Sequence, residues 1–186
     1  MRVIAGKHKG RRLRTAADLS VRPATSRVKG SIFNILQNRV DWSGVRVLDL
    51  FAGSGSLGIE ALSRGAQQVV FVENSKRTAE FLRQNIALVN ATAECEIVIS
   101  DVFDFLSRTR TAFDVVFADP PYEFAILHRL PSLVFQSGVV SPDGYLIIEH
   151  PQELAFETSP LWQEAVVRKY GRTVVTFFES QREARP

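Results

Sequence analysis

The sequence predicts an α/β domain built on a mostly parallel β-sheet, with a final pair of strands that runs antiparallel. Five short apolar runs alternate with helical segments between residues 45 and 149, a pattern typical of parallel strands covered by helices on both faces. Two further strand-like runs, 165–170 and 173–179, are separated only by a two-residue turn, which is too short for a parallel crossover. The 186 residues are 45% hydrophobic, enough to bury one substantial core.

Each element is predicted from its apolar spacing and its boundary residues. Gly6 and Gly10 bound a cationic turn between strand-like residues 2–5 and 11–15, which predicts a β-hairpin. Thr25 or Ser26 can cap a first helix, and Ser75 a later one. The predicted strands of the sheet are 45–51, 68–73, 96–100, 113–118 and 144–149. The predicted helices are 25–38, a segment that ends at Arg64, 75–89, 101–108 and 124–136.

The charge is distributed unevenly along the chain. The net charge is +3, yet residues 1–30, here called the basic arm, carry nine basic side chains and one acidic one. The other 156 residues carry 14 basic and 19 acidic side chains. This asymmetry suggests a polyanionic partner, although a solvated basic segment without a partner has the same composition. We expect a hairpin-and-helix extension over 1–40 and a catalytic domain over 41–186.

Composition excludes several classes of protein. The single cysteine, Cys95, excludes an intrachain disulfide and a multi-cysteine zinc site, and we expect a reduced, cytoplasmic location. We expect no secretory signal and no membrane span, because no apolar run is long enough. The three histidines, His8, His128 and His150, are scattered, so we expect no metal site.

A glycine-rich loop, residues 51–58 and here called the glycine loop, follows the first strand of the sheet. Asp49 precedes it, and its glycines are Gly53, Gly55 and Gly58. Glycines let the backbone turn sharply and approach a ligand, and the helix N-terminus that follows offers free N–H groups. Glu73 ends the second strand, where a carboxylate can accept hydrogen bonds from both ribose hydroxyls of a cofactor. The G-x-G-x-x-G spacing fits NAD(P) and S-adenosylmethionine about equally well.

Two carboxylates favour S-adenosylmethionine. Asp49 lies beside the glycine loop, where it would attract a cofactor that carries an ammonium and a sulfonium and would repel a pyrophosphate. Asp101 begins the segment after the third strand. It could accept a hydrogen bond from an adenine amino group, cap the next helix, or do both.

Asp119-Pro120-Pro121-Tyr122 directly follows the fourth strand, at the same predicted sheet edge. Two prolines remove two N–H donors and leave an acceptor-rich segment: the Asp119 carboxylate and the Pro120 carbonyl. These acceptors suit the two N–H protons of an exocyclic amine on a nucleobase, and Tyr122 could stack on the base. The pattern predicts methyl transfer to that amine, accelerated by positioning and by stabilisation of the developing charge.

Together these motifs resemble the class I S-adenosylmethionine-dependent methyltransferases that act on amino groups of nucleic-acid bases. The runs 5–13 and 22–29, followed by Phe33-Asn34, are similar to the bacterial family that methylates guanine N2 in small-subunit (16S) ribosomal RNA. The resemblance extends over nearly the whole chain. Gly30 departs from it, because a carboxylate is expected there.

The resemblance implies a class I, Rossmann-like methyltransferase fold, with S-adenosyl-L-methionine as cofactor and S-adenosyl-L-homocysteine as product. The implied cofactor-binding residues are Asp49, Phe51, Ala52, Gly53, Gly55, Glu73, Asn74, Asp101 and Val102. The implied catalytic residues, which hold the target guanine, are Asp119, Pro120, Pro121 and Tyr122. The implied RNA-binding residues are Arg2, Lys7, Lys9, Arg11, Arg12, Arg22, Thr25 and Arg27. The expected partner is 16S rRNA within an assembled or assembling small ribosomal subunit, bound by a monomer.

Three alternatives remain. An adenine-N6 or cytosine-N4 methyltransferase on DNA or another RNA would use the same Asp-Pro-Pro-Tyr acceptors. A nicotinamide-dependent oxidoreductase would use the glycine loop but leave Asp-Pro-Pro-Tyr and the basic arm without a role. A noncatalytic RNA-binding protein on the same fold would not need Asp119 or Tyr122.

Overall fold

The structure, a computed structural model, describes residues 1–14, 23–121 and 126–181, and only the backbone of 23–25. The strands are β1 (Arg46–Leu50), β2 (Gln68–Glu73), β3 (Cys95–Ile99), β4 (Phe113–Ala118), β5 (Val140–Pro151), β6 (Trp162–Tyr170) and β7 (Thr173–Ser180). The α-helices are α1 (Pro23–Leu36), α2 (Ser56–Arg64), α3 (Lys76–Leu88), α4 (Val102–Arg108) and α5 (Leu130–Gln136). Short 3₁₀ turns cover Thr92–Glu94 and Leu127–Arg129.

The seven strands form one sheet in the order β3-β2-β1-β4-β5-β7-β6. Strands β1 to β5 are parallel, and β7 pairs antiparallel with both β5 and β6. The fold class predicted from the sequence is therefore confirmed. The strand order reverses between β1 and β4, and in sheets of this kind ligands bind in the crevice outside the carboxyl ends of the strands at such a reversal.

The apolar strands are explained by burial on both faces of the sheet. Alternate residues of the central strands enter two separate hydrophobic clusters: Val47 and Phe117 belong to one, and Leu48 and Val116 to the other. Helices α1, α2 and α3 cover the first cluster, whereas α4 and α5 cover the second. Among the residues described, no helix is both long and apolar enough to cross a bilayer.

Several boundaries differ from the predicted ones. Helix α1 begins at Pro23 rather than at a Thr25 or Ser26 cap, because proline suits the first turn, where N–H groups have no helical partner. Helix α5 begins only at Leu130, after a 3₁₀ turn, and the predicted start at 124 lies outside the described residues. Strand β5 begins at Val140 instead of 144, where it pairs with Phe113 of β4.

The predicted N-terminal hairpin is reduced to a single antiparallel bridge between Arg2 and Arg12. The backbone N–H groups of Ile4 and Ala5 do not pair with an opposing strand; they donate to the carboxylate of Glu60 on α2, at 2.7 and 3.0 Å. A buried carboxylate therefore joins this end of the hairpin to α2, while Val3 and Leu13 bond across the hairpin to the carbonyls of Arg11 and Met1. Val3 and Leu13 of the hairpin lie in the hydrophobic cluster that α1, α2 and α3 cover.

Gly30, in the middle of α1, is a position where alanine is expected to stabilise the protein. A Cβ there would meet only the Ile4 Cδ1, at 3.7 Å, an ordinary contact. Alanine is favoured over glycine in a helix by about 1 kcal/mol, so Gly30→Ala should raise the melting temperature by about 2–4 °C. Gly58 in α2 is the matched control: its Cβ would lie 2.3 Å from the buried Phe71 ring, so Gly58→Ala should lower the melting temperature. Calorimetry would contradict this account if the two variants shifted in the same direction.

Candidate active site

Four acidic residues singled out from the sequence lie at or just beyond the carboxyl ends of parallel strands. Asp49 is near the end of β1 and Glu73 ends β2. The register pairs Leu50 of β1 with both Val72 of β2 and Ala118 of β4, so Asp119 follows at the same edge. Asp101 follows β3, whose last residue pairs with Glu73. The parallel register therefore brings these positions to one edge of the sheet.

The glycine loop begins with an unusual backbone conformation. Phe51 has φ = 59°, a left-handed value that costs energy for a residue with a bulky side chain. The next N–H group, from Ala52, donates to the Val72 carbonyl on β2 at 3.0 Å. Gly53 and Gly55 also have positive φ, 55° and 76°. The chain thus leaves β1 by a sharp turn that glycine accommodates at low cost.

The three glycines of the motif have different surroundings. A Cβ on Gly55 would lie 2.3 Å from Leu82 Cδ1, and one on Gly58 would lie 2.3 Å from Phe71 Cε1. These two glycines are required by close packing inside the protein. At Gly53 a Cβ would meet only the Phe51 carbonyl oxygen, at 3.9 Å. Gly53 is therefore the glycine of this motif whose backbone a ligand can approach.

The Glu73 side chain links the ends of two loops. Its Oε2 accepts a hydrogen bond from the Gly53 N–H at 2.9 Å, and its Oε1 accepts one from the Ser75 N–H at 2.9 Å. The residue is 8% exposed. Each carboxylate oxygen has a second lone pair, so Glu73 can hold the loops and still accept hydrogen bonds from a ligand.

Asp49 is a buried carboxyl group beside the glycine loop. It is 2% exposed, and its Oδ2 accepts a hydrogen bond from the Gly58 N–H at 2.9 Å. Burial is the largest cause of its altered pKa; the Gly58 hydrogen bond opposes the shift, and the negative charges of Asp119 and Glu73 add to it. Together they raise the pKa of Asp49 to about 8. The negative charges beside Asp49 are those of Asp119 and Glu73, and they suit a cationic ligand and disfavour a pyrophosphate.

The remaining candidates of the cofactor set differ in exposure. Asp101 is exposed and caps α4, since its Oδ1 accepts hydrogen bonds from the N–H groups of Phe103 and Asp104 at 2.8 and 3.4 Å. Val102 behind it is buried, whereas Asn74 is exposed. The capping role of Asp101 considered from the sequence is thus observed, and the same side chain remains accessible at the sheet edge.

The segment after β4 alternates between exposed and buried residues. Asp119 is exposed, Pro120 is buried and Pro121 is exposed. Tyr122 lies outside the described residues. The buried Pro120 anchors this turn, and the Asp119 carboxylate lies near enough to Asp49 to raise its pKa.

The predicted RNA-binding residues are exposed wherever their side chains are described. These are Arg2, Lys7, Lys9, Arg11, Arg12 and Arg27. Arg22 and the side chain of Thr25 lie outside the described part of the chain. Lys7 forms a long ion pair with Glu94, at 3.9 Å, and the Arg2 guanidinium donates to the Gly10 carbonyl at 3.1 Å. The positive charges of the hairpin are thus available to a polyanion.

A cavity of about 860 Å³ lies between the hairpin, α1 and the end of β6. We call it the basic groove, because Arg2, Arg12 and Arg27 line it and none of its lining residues is acidic. Tyr170 also lines it. The turn after β6 leads to Thr173 of β7, which pairs with Pro151 at the carboxyl end of β5. Tyr170 therefore lies at the same end of the sheet as the carboxyl ends of the parallel strands.

Sequence reasoning missed Tyr170 and the buried polar residues Lys29, Glu60 and Asn85. No local pattern marks them, since their partners lie elsewhere in the chain: Tyr170 meets Ser31 of α1 through their hydroxyl groups, and Asn85 binds Arg14 and Ser54. The described residues contain no cluster of three or more histidine, cysteine or acidic side chains arranged for a metal ion.

The strand order, the glycine loop and the carboxylates at the strand ends define a class I methyltransferase fold. The sequence profile of the family described as "Conserved hypothetical protein 95" matches residues 1–179, and the chain belongs to this family. It is 36% identical to the YlbH protein of Bacillus subtilis, over 97% of this chain and all of that protein. It is also 36% identical to "Ribosomal RNA small subunit methyltransferase D" of Haemophilus influenzae, over 87% of this chain and 84% of that protein.

A solved structure agrees with these sequence relatives. The yhhF protein of Escherichia coli superimposes with a TM-score of 0.85 at 28% identity, covering 98% of this chain and 99% of that one. The family resemblance inferred from the sequence is confirmed by these comparisons.

Proposed function

We propose that this protein transfers a methyl group from S-adenosylmethionine to the exocyclic N2 amine of a guanine in 16S rRNA of the small ribosomal subunit. The observation that carries the proposal is that Asp49, Glu73 and Asp119 come together at one sheet edge, directly before Pro120 and Pro121. The same chain carries the basic groove. The relative in Haemophilus influenzae is named as a small-subunit ribosomal RNA methyltransferase, which supports the choice of RNA over DNA.

The donor and acceptor set fits S-adenosylmethionine. Glu73 would accept hydrogen bonds from the ribose hydroxyls, Gly53 permits close backbone approach, and the negative charge around Asp49 suits the ammonium and sulfonium. Phe51, Ala52 and Asn74 would complete the site, with Asp101 and Val102 beside the adenine. A dinucleotide would place a pyrophosphate against this negative charge, so the crevice disfavours the oxidoreductase alternative.

In the proposed reaction the cofactor supplies an electrophilic methyl group. The Asp119 carboxylate and the Pro120 carbonyl accept hydrogen bonds from the guanine amine and orient its nitrogen, with Pro121 and Tyr122 shaping the pocket for the flipped base. Asp119 also stabilises the positive charge that develops on nitrogen. The methylated amine then loses a proton readily to solvent, so Asp119 need not be a strong base.

The basic arm and groove would hold the RNA backbone. Arg2, Arg12 and Arg27 surround the groove, and contacts of this kind position a nucleic acid without reading its sequence. Tyr170 offers a stacking surface for an unpaired base beside them. We include in the proposal a monomeric protein that acts in the cytoplasm on an assembled or assembling subunit, with 1–40 as the RNA-binding extension of a catalytic domain over 41–186.

The decisive experiment combines substrate and product identification. The protein is incubated with labelled S-adenosylmethionine and small ribosomal subunits from cells that lack this gene, and the digested RNA is analysed by nucleoside mass spectrometry. We expect N2-methylguanosine at one position, and a yield that falls steeply with added salt. Transfer RNA and duplex DNA serve as controls. Labelled N6-methyladenosine or N4-methylcytosine, or methylation of a control substrate alone, would overturn the proposal.

The raised pKa of Asp49 predicts that cofactor affinity depends on pH. At neutral pH the carboxyl group of the free protein is largely protonated, because its pKa is about 8. A cationic ligand favours the ionised form, so binding should release a proton. The association constant should rise by up to about tenfold per pH unit between about pH 6 and pH 8 and then level off. Calorimetry in buffers of different ionisation enthalpy measures the released proton directly.

Asp49→Asn is the control for this prediction, because an asparagine side chain cannot ionise. The cofactor's own ammonium still titrates in that variant, so any proton release that comes from the cofactor remains. The same linkage acts on the free energy of unfolding. Because the pKa of Asp49 is about 8 in the folded protein and about 4 in the unfolded chain, its contribution to stability is full below about pH 4 and is lost as the pH rises through 8. The Asn variant should lack this decline. Equal proton release by both proteins would show that Asp49 does not respond to the cofactor.

A further inference from the structure

The hairpin and the glycine loop are joined by the buried side chain of Asn85. This residue of α3 is fully buried. Its Oδ1 accepts a hydrogen bond from the Arg14 N–H at 2.7 Å, and its Nδ2 donates to the Arg14 carbonyl at 2.8 Å and to the Ser54 carbonyl at 2.9 Å. Arg14 belongs to the basic arm, and Ser54 lies between Gly53 and Gly55 of the glycine loop. One amide therefore bonds to the backbone of both segments.

The chemistry of these bonds suits an amide. The Nδ2 group has two hydrogens and both are used, one on each segment, while Oδ1 fills the acceptor role. An aspartate would lack both donors, and a leucine of similar size would remove the Asn85 bonds to the backbone groups of Arg14 and Ser54. Only a side chain with two N–H donors and one acceptor can bond to the Arg14 N–H, the Arg14 carbonyl and the Ser54 carbonyl at once.

The surroundings make the connection stiff. Leu82, one turn before Asn85 on α3, lies so close to Gly55 that a Cβ there would approach it to 2.3 Å. On the other side, the buried Lys29 ammonium donates to the Arg2 carbonyl at 2.9 Å and to the Ser56 hydroxyl at 3.0 Å. The hairpin and the glycine loop are thus both held on a common base formed by α1, α2 and α3. A shift of the loop backbone at Ser54 would be transmitted to Arg14.

We propose that Asn85 is a positioning residue that couples occupancy of the cofactor site to RNA binding by the basic arm. The inference rests on the proposed function, because it takes the glycine loop to hold the cofactor and the arm to hold RNA. A cofactor that fixes the backbone at Gly53 also fixes Ser54, and through Asn85 it restrains the backbone of Arg14. RNA then binds an arm whose position at Arg14 is already restrained, so the two ligands bind with positive cooperativity.

The test measures a coupling factor, the ratio of the dissociation constants for small ribosomal subunits without and with saturating S-adenosylhomocysteine. This product does not react, so the measurement is independent of turnover. We expect a factor of at least about five for the unaltered protein, within the range usual for allosteric coupling. For Asn85→Leu we expect a factor within about twofold of one, because the bond to Ser54 is lost.

Two variants serve as matched controls. Gln84 precedes Asn85 and accepts a hydrogen bond from the Arg14 side chain, at 2.6 Å, so Gln84→Leu should retain the coupling factor. Arg14→Ala removes the same side chain but keeps both backbone groups that bind Asn85. It should weaken subunit binding by loss of charge while leaving the ratio unchanged. A factor that disappears in either control would assign the coupling to the Arg14 side chain and overturn the role of Asn85.

Amide hydrogen exchange provides a second measurement that needs no variant. Adding S-adenosylhomocysteine alone should slow exchange of the Arg14 amide, which donates to Asn85, while the amide of Lys9 at the hairpin turn changes little. Unchanged exchange at Arg14 would overturn the inference even if Asn85→Leu failed to fold.

The failure of this inference differs from failure of the proposed function. Unaltered protein that binds both ligands with a coupling factor of one refutes coupling but leaves the methyltransferase proposal intact. A coupling factor that survives in folded Asn85→Leu refutes the role of Asn85 alone. Unaltered protein that binds neither S-adenosylhomocysteine nor small subunits refutes both.

Discussion

Replacing Asp119 by alanine is expected to lower the rate of methyl transfer by about 10²–10³-fold, the usual effect of losing one preorganised polar group at a developing charge. The side chain is exposed at the carboxyl end of β4, where the proposed reaction needs an acceptor for the guanine amine. Its charge acts on Asp49, so the cofactor dissociation constant should also change, but by less than about tenfold. Labelled-methyl transfer gives kcat, and calorimetry gives the cofactor affinity.

Two further variants sharpen this prediction. Asp119→Asn keeps one carbonyl acceptor and loses the negative charge, so its kcat should lie between those of the alanine variant and the unaltered protein. Asp104→Ala removes an exposed acidic residue of α4 and should leave kcat nearly unchanged. If Asp119→Ala still turns over within tenfold of the unaltered protein while binding subunits normally, the proposed role of Asp119 is wrong.

Replacing Glu60 by alanine is expected to destabilise the protein by about 3–5 kcal/mol, because one partner of a buried ion pair would remain uncompensated. Glu60 is fully buried and lies 3.6 Å from the Lys29 ammonium, which is 2% exposed. It also accepts hydrogen bonds from Ile4, Ala5 and Arg64. The variant would leave a buried ammonium and two hairpin N–H groups without this carboxylate. Urea unfolding measures the loss of free energy.

The control for Glu60 is another glutamate that pairs on a helix surface. Glu80 binds Arg83 at 3.1 Å with both side chains exposed, and surface pairs contribute at most about 1 kcal/mol. Glu80→Ala should therefore change stability little. Adding Lys29→Met to Glu60→Ala should recover part of the loss, since it removes the unpaired charge. A Glu60→Ala variant as stable as Glu80→Ala would show that the ion pair does not hold the hairpin.

The general fold and the location of the site follow from local patterns. The runs that became β2 and β4 were predicted residue for residue, because strands buried on both faces must be continuously apolar. Functional residues of a parallel sheet gather at the carboxyl ends of its strands. For that reason the positions of Asp49, Glu73 and Asp119 at one edge follow from the sequence alone.

Boundaries and the hairpin were predicted less well. The ladder expected between residues 2–5 and 11–15 is one bridge, and beyond it the N–H groups of Ile4 and Ala5 bind Glu60. Nothing in the spacing around Ile4 indicates that its partner lies 56 residues away. The positions where helices and strands end depend on such distant partners as much as on local propensity.

The spacing of apolar residues and the positions of the strand ends thus decided the fold class and the sheet edge that carries the acidic residues. Both are local features, since a strand or helix that buries apolar side chains shows this in a short stretch of sequence. The tertiary structure decided how the basic arm meets that edge. Asn85 joins Arg14 to Ser54, and Tyr170 closes the basic groove more than a hundred residues from the arginines that line it. Buried polar groups take whichever partner the folded chain brings within hydrogen-bonding distance, and that choice is made only when distant segments pack together.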